Sequence, residues 1–280
     1  MHKLIQIICG AGGAETIEEC ARVPESLGAT IIVIYALWPQ YDYPNGDPNF
    51  AKTSDLVDHN FKLDDVESIA KKKGWHYVRM DKFAFNGEQY NFALDYIKNN
   101  GLECEHIWFV DSDECIDPVY SQAICDQVVE AKRMGLEQIR FAKRIEVLPG
   151  WRQIELNNIL SGNYGILWGE ALKVRRETFF DGNFHFKSNV NFAQTSIPLI
   201  HLHHFRLNAA NRIVNGKWCG GGLEVDITSA SVLYDSPYIQ LLKEKFTHFY
   251  AQRSADSYLG PSIFMGVKVV GSTNNQGEHD

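Results

Sequence analysis

The sequence predicts an α/β fold: a mixed, mostly parallel sheet flanked by helices, with a C-terminal helical extension. Three observations carry this. Apolar runs rich in Ile and Val, first at Leu4 to Cys9 and again at Thr30 to Leu37, are separated by a segment of helical spacing. Strands buried on both faces read as such continuous runs, and a strand–helix–strand order is that of a parallel βαβ unit. The composition of 280 residues, 45% hydrophobic and 22% charged, is that of a folded chain long enough to bury a core without disulfide or metal staples.

Each element has its own signal. Leu4 to Cys9 ends at Gly10-Ala11-Gly12-Gly13, and a helix is expected from Ala14 to Leu27, with Thr16 and Glu19 spaced as a capping box. Trp38 to Asn60 carries Pro39, Pro44, Pro48 and Asn45-Gly46-Asp47, and reads as a surface excursion of lid type. Helices are expected over Leu63 to Lys73 and Gly87 to Asn99, the latter closed by Gly101, with a strand over Trp75 to Met80 between them. His106 to Val110 is a strand running into Asp111-Ser112-Asp113-Glu114. A helix over Pro118 to Met134 and strands over Gln138 to Val147 and Ile197 to Phe205 follow. The last helix is expected around Ser236 to Phe249, and the polar Gly271 to Asp280 reads as a tail. Domain limits follow at 1–207, 208–270 and 271–280.

Charge and apolar patterning exclude several classes. The net charge of −8 argues against a polyphosphate as the main docking partner, so nucleic acid is not expected, although modified DNA stays open as a partner. The longest apolar run, Ile31 to Trp38, is far short of the ~20 residues of a membrane helix, so no integral membrane segment is expected. The N-terminal apolar stretch is broken by Gln6 and reads as a strand, not a signal peptide. None of the six cysteines forms a Cys-x-x-Cys pair, which fits reduced thiols and a cytoplasmic setting. The glycine run lacks Gly-x-Gly-x-x-Gly spacing and the second strand does not end in an acid, which excludes a dinucleotide-binding dehydrogenase.

The chemistry-bearing signal is Ile107-Trp108-Phe109-Val110-Asp111-Ser112-Asp113-Glu114. A buried strand delivers two carboxylates, two residues apart, to the sheet edge where open α/β sheets bind ligands. Such a pair can hold Mg²⁺ or Mn²⁺, as hard cations prefer oxygen; a capped turn is the bland alternative. Four of the ten histidines lie between 185 and 204. On a strand, His201 and His203 would share one face and His204 the other, and neutral imidazoles can complete a metal shell begun by carboxylates. The order of preference is His203, His201, His204. A site built on histidines alone would want three of them and no acidic pair.

Asn86-Gly87-Glu88-Gln89-Tyr90-Asn91-Phe92-Ala93-Leu94, followed by His106 to Asp117, resembles the core of family 2 glycosyltransferases of the GT-A fold. The resemblance covers roughly residues 1–205. It implies a Rossmann-type GT-A sheet, a nucleotide-diphosphate-sugar donor (a UDP-sugar first), Asp111 near ribose and metal, Asp113 as direct metal ligand, and donor contact from Asn91. It also implies a late histidine on the metal. Two departures stand out. No acid follows the second strand before Asp42, and Tyr90 occupies a place where Arg or Lys is usual.

An inverting transfer needs a base for the acceptor hydroxyl. The candidates are Glu170, Asp181 and, lower, Glu155, with His185 as substitute; in the family's motif a Glu stands where Phe186 is. Trp151, Trp168, Phe179, Phe180, Phe184 and Phe186 include candidates for lining an acceptor cleft, with core packing as the alternative for each. Lys173, Arg175, Arg176 and above all Arg206 could pair with a diphosphate, and Lys217 opens a Gly-rich loop that could close over it. The reading is a metal-dependent hexosyltransferase-like enzyme acting on a hydroxyl acceptor, a glycan first. The alternatives are a nucleotidyltransferase-like enzyme, or a noncatalytic carbohydrate- or protein-binding relative.

Overall fold

The computed structural model describes residues 1–10, 13–37, 63–83, 86–157, 165–178, 184–186, 190–205, 213–214, 217–220, 223–226, 228, 230–231 and 234–256. The chain begins β1 (Leu4–Gly10), α1 (Ile17–Ser26), β2 (Thr30–Leu37), α2 (Leu63–Lys73), β3 (His76–Phe83), α3 (Asn86–Asn99) and β4 (His106–Asp111). It continues with β5 (Glu114–Cys115), α4 (Ser121–Arg133), β6 (Gln138–Val147), β7 (Gln153–Asn157), β8 (Gly165–Trp168), β9 (Arg176–Thr178), β10 (Phe184–Phe186) and β11 (Phe192–His201). β12 (Ile213–Val214), β13 (Lys217–Gly220), β14 (Leu223–Asp226) and α5 (Pro237–Asp256) complete it.

The main sheet runs β3-β2-β1-β4-β8-β6-β11-β5, with β7 alongside β6. β3, β2, β1 and β4 are mutually parallel. β8 is antiparallel to both β4 and β6, so β6 and its parallel neighbour β11 run with the first four. β5 and β7 run the other way. The sheet is therefore mixed and mostly parallel, as the apolar strand runs predict. β1 is buried at every position, and β4 is buried from His106 to Val110 and half-buried at Asp111. β4 thus starts apolar and begins to surface where its carboxyl end reaches the sheet edge.

Two cores hold the layers together. The larger packs Ile5, Ile7, Ile32, Ile34, Phe109 and Val110 against helical residues such as Ile17, Ala93 and Ile124. The second joins Cys115, Ile145, Val147, Ile200, Leu202 and Phe205 to Tyr238, Ile239, Leu242 and Phe246 of α5. The C-terminal helix thus shares a core with β6 and β11. It is also tied to α1: Lys245 Nζ lies 2.7 Å from Glu19 Oε1, and the Tyr238 hydroxyl donates to Glu19 Oε2 at 3.0 Å. Among the described residues, no helix is long and apolar enough to cross a membrane. The expected excursion at 38–60 and tail at 271–280 lie outside the described residues.

Three local expectations change. The capping box does not form: Thr16 makes no side-chain cap bond, and the Glu19 carboxylate takes Arg22, Lys245 and Tyr238 instead. Pro118 to Tyr120 is a 3-10 turn capped by Asp117, whose Oδ1 accepts from Val119 N at 2.9 Å, and the α-helix proper starts at Ser121. β11 ends at His201, and His203 to Phe205 form a 3-10 turn.

Candidate metal centre

The acidic turn is seated from below by the first strand–helix connection. β1 pairs β4 in parallel, with Cys9 opposite Asp111. Gly13 has φ +100°, and a Cβ there would stand 2.8 Å from Ser112 Oγ, so only glycine lets this turn lie against Ser112. The Thr16 hydroxyl donates to Ser112 O at 2.7 Å, and Gly13 O accepts from Ile17 N at 2.9 Å. Gly13 and Thr16 therefore serve to place Asp111-Ser112-Asp113.

From the other side, β11 lies between β6 and β5, with His201 opposite Glu146 on one neighbour and Glu114 on the other. Just beyond the strand, Leu202 N donates to Asp113 O at 2.7 Å, which fastens the histidine segment to the acidic turn. The result is a buried cluster. His201 Nε2 and His203 Nδ1 each lie 3.4 Å from Asp113 Oδ2. One ligand atom from each of Asp113, His201 and His203 falls within 4.8 Å of the others, and all three residues are buried. One carboxylate oxygen and two imidazole nitrogens form a donor set suited to a divalent cation that accepts both O and N.

The surroundings are strongly charged. His201 Nδ1 lies 2.6 Å from Glu146 Oε2. Arg144 approaches Glu114 at 3.5 Å and Glu146 at 3.8 Å. Burial by itself disfavours the imidazolium of His201, yet Glu146 and Asp113 outweigh it and lift the ring's pKa to about 9. Burial likewise raises Glu114, against the pull of His201 and Arg144. Arg144 and a charged His201 ring offset much of the buried negative charge of Asp113, Glu114 and Glu146, leaving three carboxylates against two cations.

Several expected residues stand elsewhere. Asp111 is half-buried at the end of β4, its N–H facing Glu114 Oε2 at 3.5 Å, and it is not a member of the three-residue group. Asn91, expected at the donor, bonds β9 in this structure: its Oδ1 accepts from Arg176 N at 2.9 Å and its Nδ2 donates to Arg176 O at 2.8 Å. Glu170 follows Trp168, which pairs with His106 at the opposite end of β4 from Asp111, and it bonds Lys173 at 2.7 Å in the open. It is not beside the cluster. Glu155 pairs with Lys143 at 2.6 Å. Arg175 pairs with Asp95, and Arg176 is buried with its guanidinium 3.9 Å from the Tyr90 ring and 4.2 Å from Phe109. A cation does reach position 90, supplied from β9. Trp168 is a core residue whose indole donates to Leu136 O at 2.8 Å, and Trp151 packs on Phe205.

Asp181 and Arg206 lie outside the described residues, as do the side chains of His185, His204, Lys217, Phe184 and Phe186. His185 sits on β10 opposite Glu177, and Lys217 on β13 opposite Asp226. The residues the sequence reading missed are Glu146, Arg144 and Glu114. Part of the signal lies in the sequence: Arg144 and Glu146 are charges within the strand expected over Gln138 to Val147, and buried charges come in partnered sets.

No family model matches the chain, and no curated protein matches it. Solved structures with similar arrangements include residues 1–349 of TarS from S. aureus, at 12% identity and a TM-score of 0.42 over 72% of this chain and 61% of that one. The same TarS fragment in complex with UDP-GlcNAc aligns at 13% identity, TM-score 0.39, over 69% of this chain and 58% of that one. A cytidylyltransferase from Leptospira borgpetersenii aligns at 15%, TM-score 0.34, over 62% and 63%. The chain thus spans less than two thirds of the length of these neighbours.

Proposed function

We propose that the chain is a cation-dependent transferase of GT-A type that moves a sugar from a nucleotide-diphosphate sugar to an acceptor hydroxyl, with inversion. The observation that supports this is the convergence of Asp113, His201 and His203 beside the carboxyl end of β4, where open α/β sheets bind ligands. Asp113 would hold Mn²⁺ or Mg²⁺ through a carboxylate oxygen, with His201 and His203 through Nε2 and Nδ1. Such a cation, when bound, offsets the charge of a departing diphosphate.

The protein's own groups divide the rest. Asp111, half-buried at the strand end, is assigned to the donor ribose, and Arg206 and Lys217 to the phosphates. Inversion takes one displacement. A base removes the acceptor hydroxyl proton as its oxygen bonds to the anomeric carbon, and the nucleoside diphosphate leaves with the bonding pair. Asp181 and His185 are the candidate bases, since Glu170 stands at the other sheet edge. A UDP-sugar as donor and a glycan as acceptor are the first choices. A nucleotidyltransferase is less favoured, because Glu15 stands where a basic glycine-rich loop would carry Arg or Lys, and Gly13 packs against Ser112.

Calorimetric titration of UDP-, GDP- and dTDP-sugars, with and without Mn²⁺, tests the reading. Wild type is expected to bind one donor only with the cation. Asp113→Ala should lose at least ~100-fold in that affinity, about 2.7 kcal/mol. Failure of every donor under both conditions, or binding indifferent to both Mn²⁺ and the substitution, overturns it.

A further inference from the structure

We infer that Glu146 is a positioning residue for the cation site, holding the His201 ring so that Nε2, and not Nδ1, faces the cation; this rests on the proposed cation-binding role of Asp113, His201 and His203. Glu146 is fully buried on β6, directly across the ladder from His201. Its Oε2 lies 2.6 Å from His201 Nδ1, a hydrogen-bond distance typical of a charged pair. The opposite ring nitrogen, Nε2, is the one that faces Asp113 Oδ2 at 3.4 Å.

An imidazole has two inequivalent nitrogens, and a carboxylate on one keeps a proton there and turns the other toward the metal. Outer carboxylates of this kind also raise the basicity of the ligating nitrogen, and their loss typically costs 10–100-fold in metal affinity. The rival account makes Glu146 only a counter-ion for Arg144. Distance decides between them: Glu146 Oε2 lies 3.8 Å from Arg144 Nε, beyond hydrogen-bond reach, against 2.6 Å from His201. Arg144 has a nearer carboxylate in Glu114, at 3.5 Å. The backbone reinforces the arrangement, because the register that pairs His201 with Glu146 also pairs Ile200 with Ile145 in the second core. That packing fixes the backbone register, and so holds the two residues opposite each other across the ladder.

The test uses the full chain and Mn²⁺ alone, with free ion counted by electron paramagnetic resonance so that weak binding stays measurable. Glu146→Ala is expected to weaken Mn²⁺ binding about 10–100-fold. Glu146→Gln can still accept from Nδ1–H and should fall between Glu146→Ala and wild type. If circular dichroism shows Glu146→Ala unfolded, the glutamine variant decides. In a His201→Ala background, Glu146→Gln should change the dissociation constant less than two-fold, since there is no ring left to position. An equal loss in both backgrounds marks a merely structural glutamate and overturns the inference, as does wild-type affinity in Glu146→Gln. No Mn²⁺ binding by wild type overturns the cation site itself, and with it this role; Mn²⁺ binding with an unaffected glutamine variant overturns the role of Glu146 alone.

Discussion

The two halves of the sheet solve opposite problems. β1, β2 and β4 bury Ile, Val and Phe almost without interruption. Around β6, β11 and β5 the chain instead buries Arg144, Glu146, Glu114 and His201, with Asp113 and His203 beside them. The first half gains from apolar burial; the second gives up some of that gain to hold charge out of water. The difference teaches where to look for chemistry in this fold: at the seam where the turn after β4 brings Asp113 to the polar half's histidines.

Three substitutions sharpen the contrast. Phe109 is fully buried with its ring edge-on to Tyr90 at 5.1 Å. Phe109→Ala should cost about 3–5 kcal/mol in denaturant unfolding. A loss below about 1 kcal/mol would show that the apolar half does not carry stability. Gly13→Ala acts on the seam. Its φ of +100° and the Ser112 contact predict a loss of about 1–2 kcal/mol together with weaker Mn²⁺ binding. Unchanged Mn²⁺ affinity would separate the glycine turn from the site.

Glu19 tests the tether between the halves. Burial opposes its ionisation, yet Arg22 and Lys245 more than compensate and hold its pKa down at about 2, against an ordinary 4.5. A carboxylate lowered on folding contributes stability that is fully present above 4.5 and is lost as pH falls toward 2. Arg22 is 43% exposed and its pairing is screened, so about 1–2 kcal/mol is expected. Thermal melts of wild type and Glu19→Gln should differ by that amount near pH 6 and converge near pH 2. A gap independent of pH would mean that packing, not charge, is what the glutamate contributes.

Much of this arrangement is readable along the chain. Thr30–Leu37, Leu63–Lys73 and Gln138–Val147 fall where their apolar patterns place them, because local burial decides them. Asp113 and His201 were identified as candidates from residue type and position. His203 joins them for a different reason from the one expected: it does not alternate along a strand with His201 but sits on the 3-10 turn beyond it. Thr16 and Glu19 have capping-box spacing, yet tertiary partners far along the chain, Ser112 for one and Lys245 for the other, claim both side chains. Glu146 stands out along the chain as a charge within a strand, but its pairing with His201 depends on a strand register that no local pattern encodes.

The two-residue strand Glu114–Cys115 has a consequence for the order in which the molecule is built. Among the described residues it pairs with β11 alone, and Cys115 and Ile200 lie 85 residues apart in the chain. Closing so long a loop is entropically slow compared with forming the local βαβ units at the start. A growing polypeptide therefore has its first parallel strands in hand well before its histidines arrive, and the Asp113–His201–His203 cluster is among the last features to be completed.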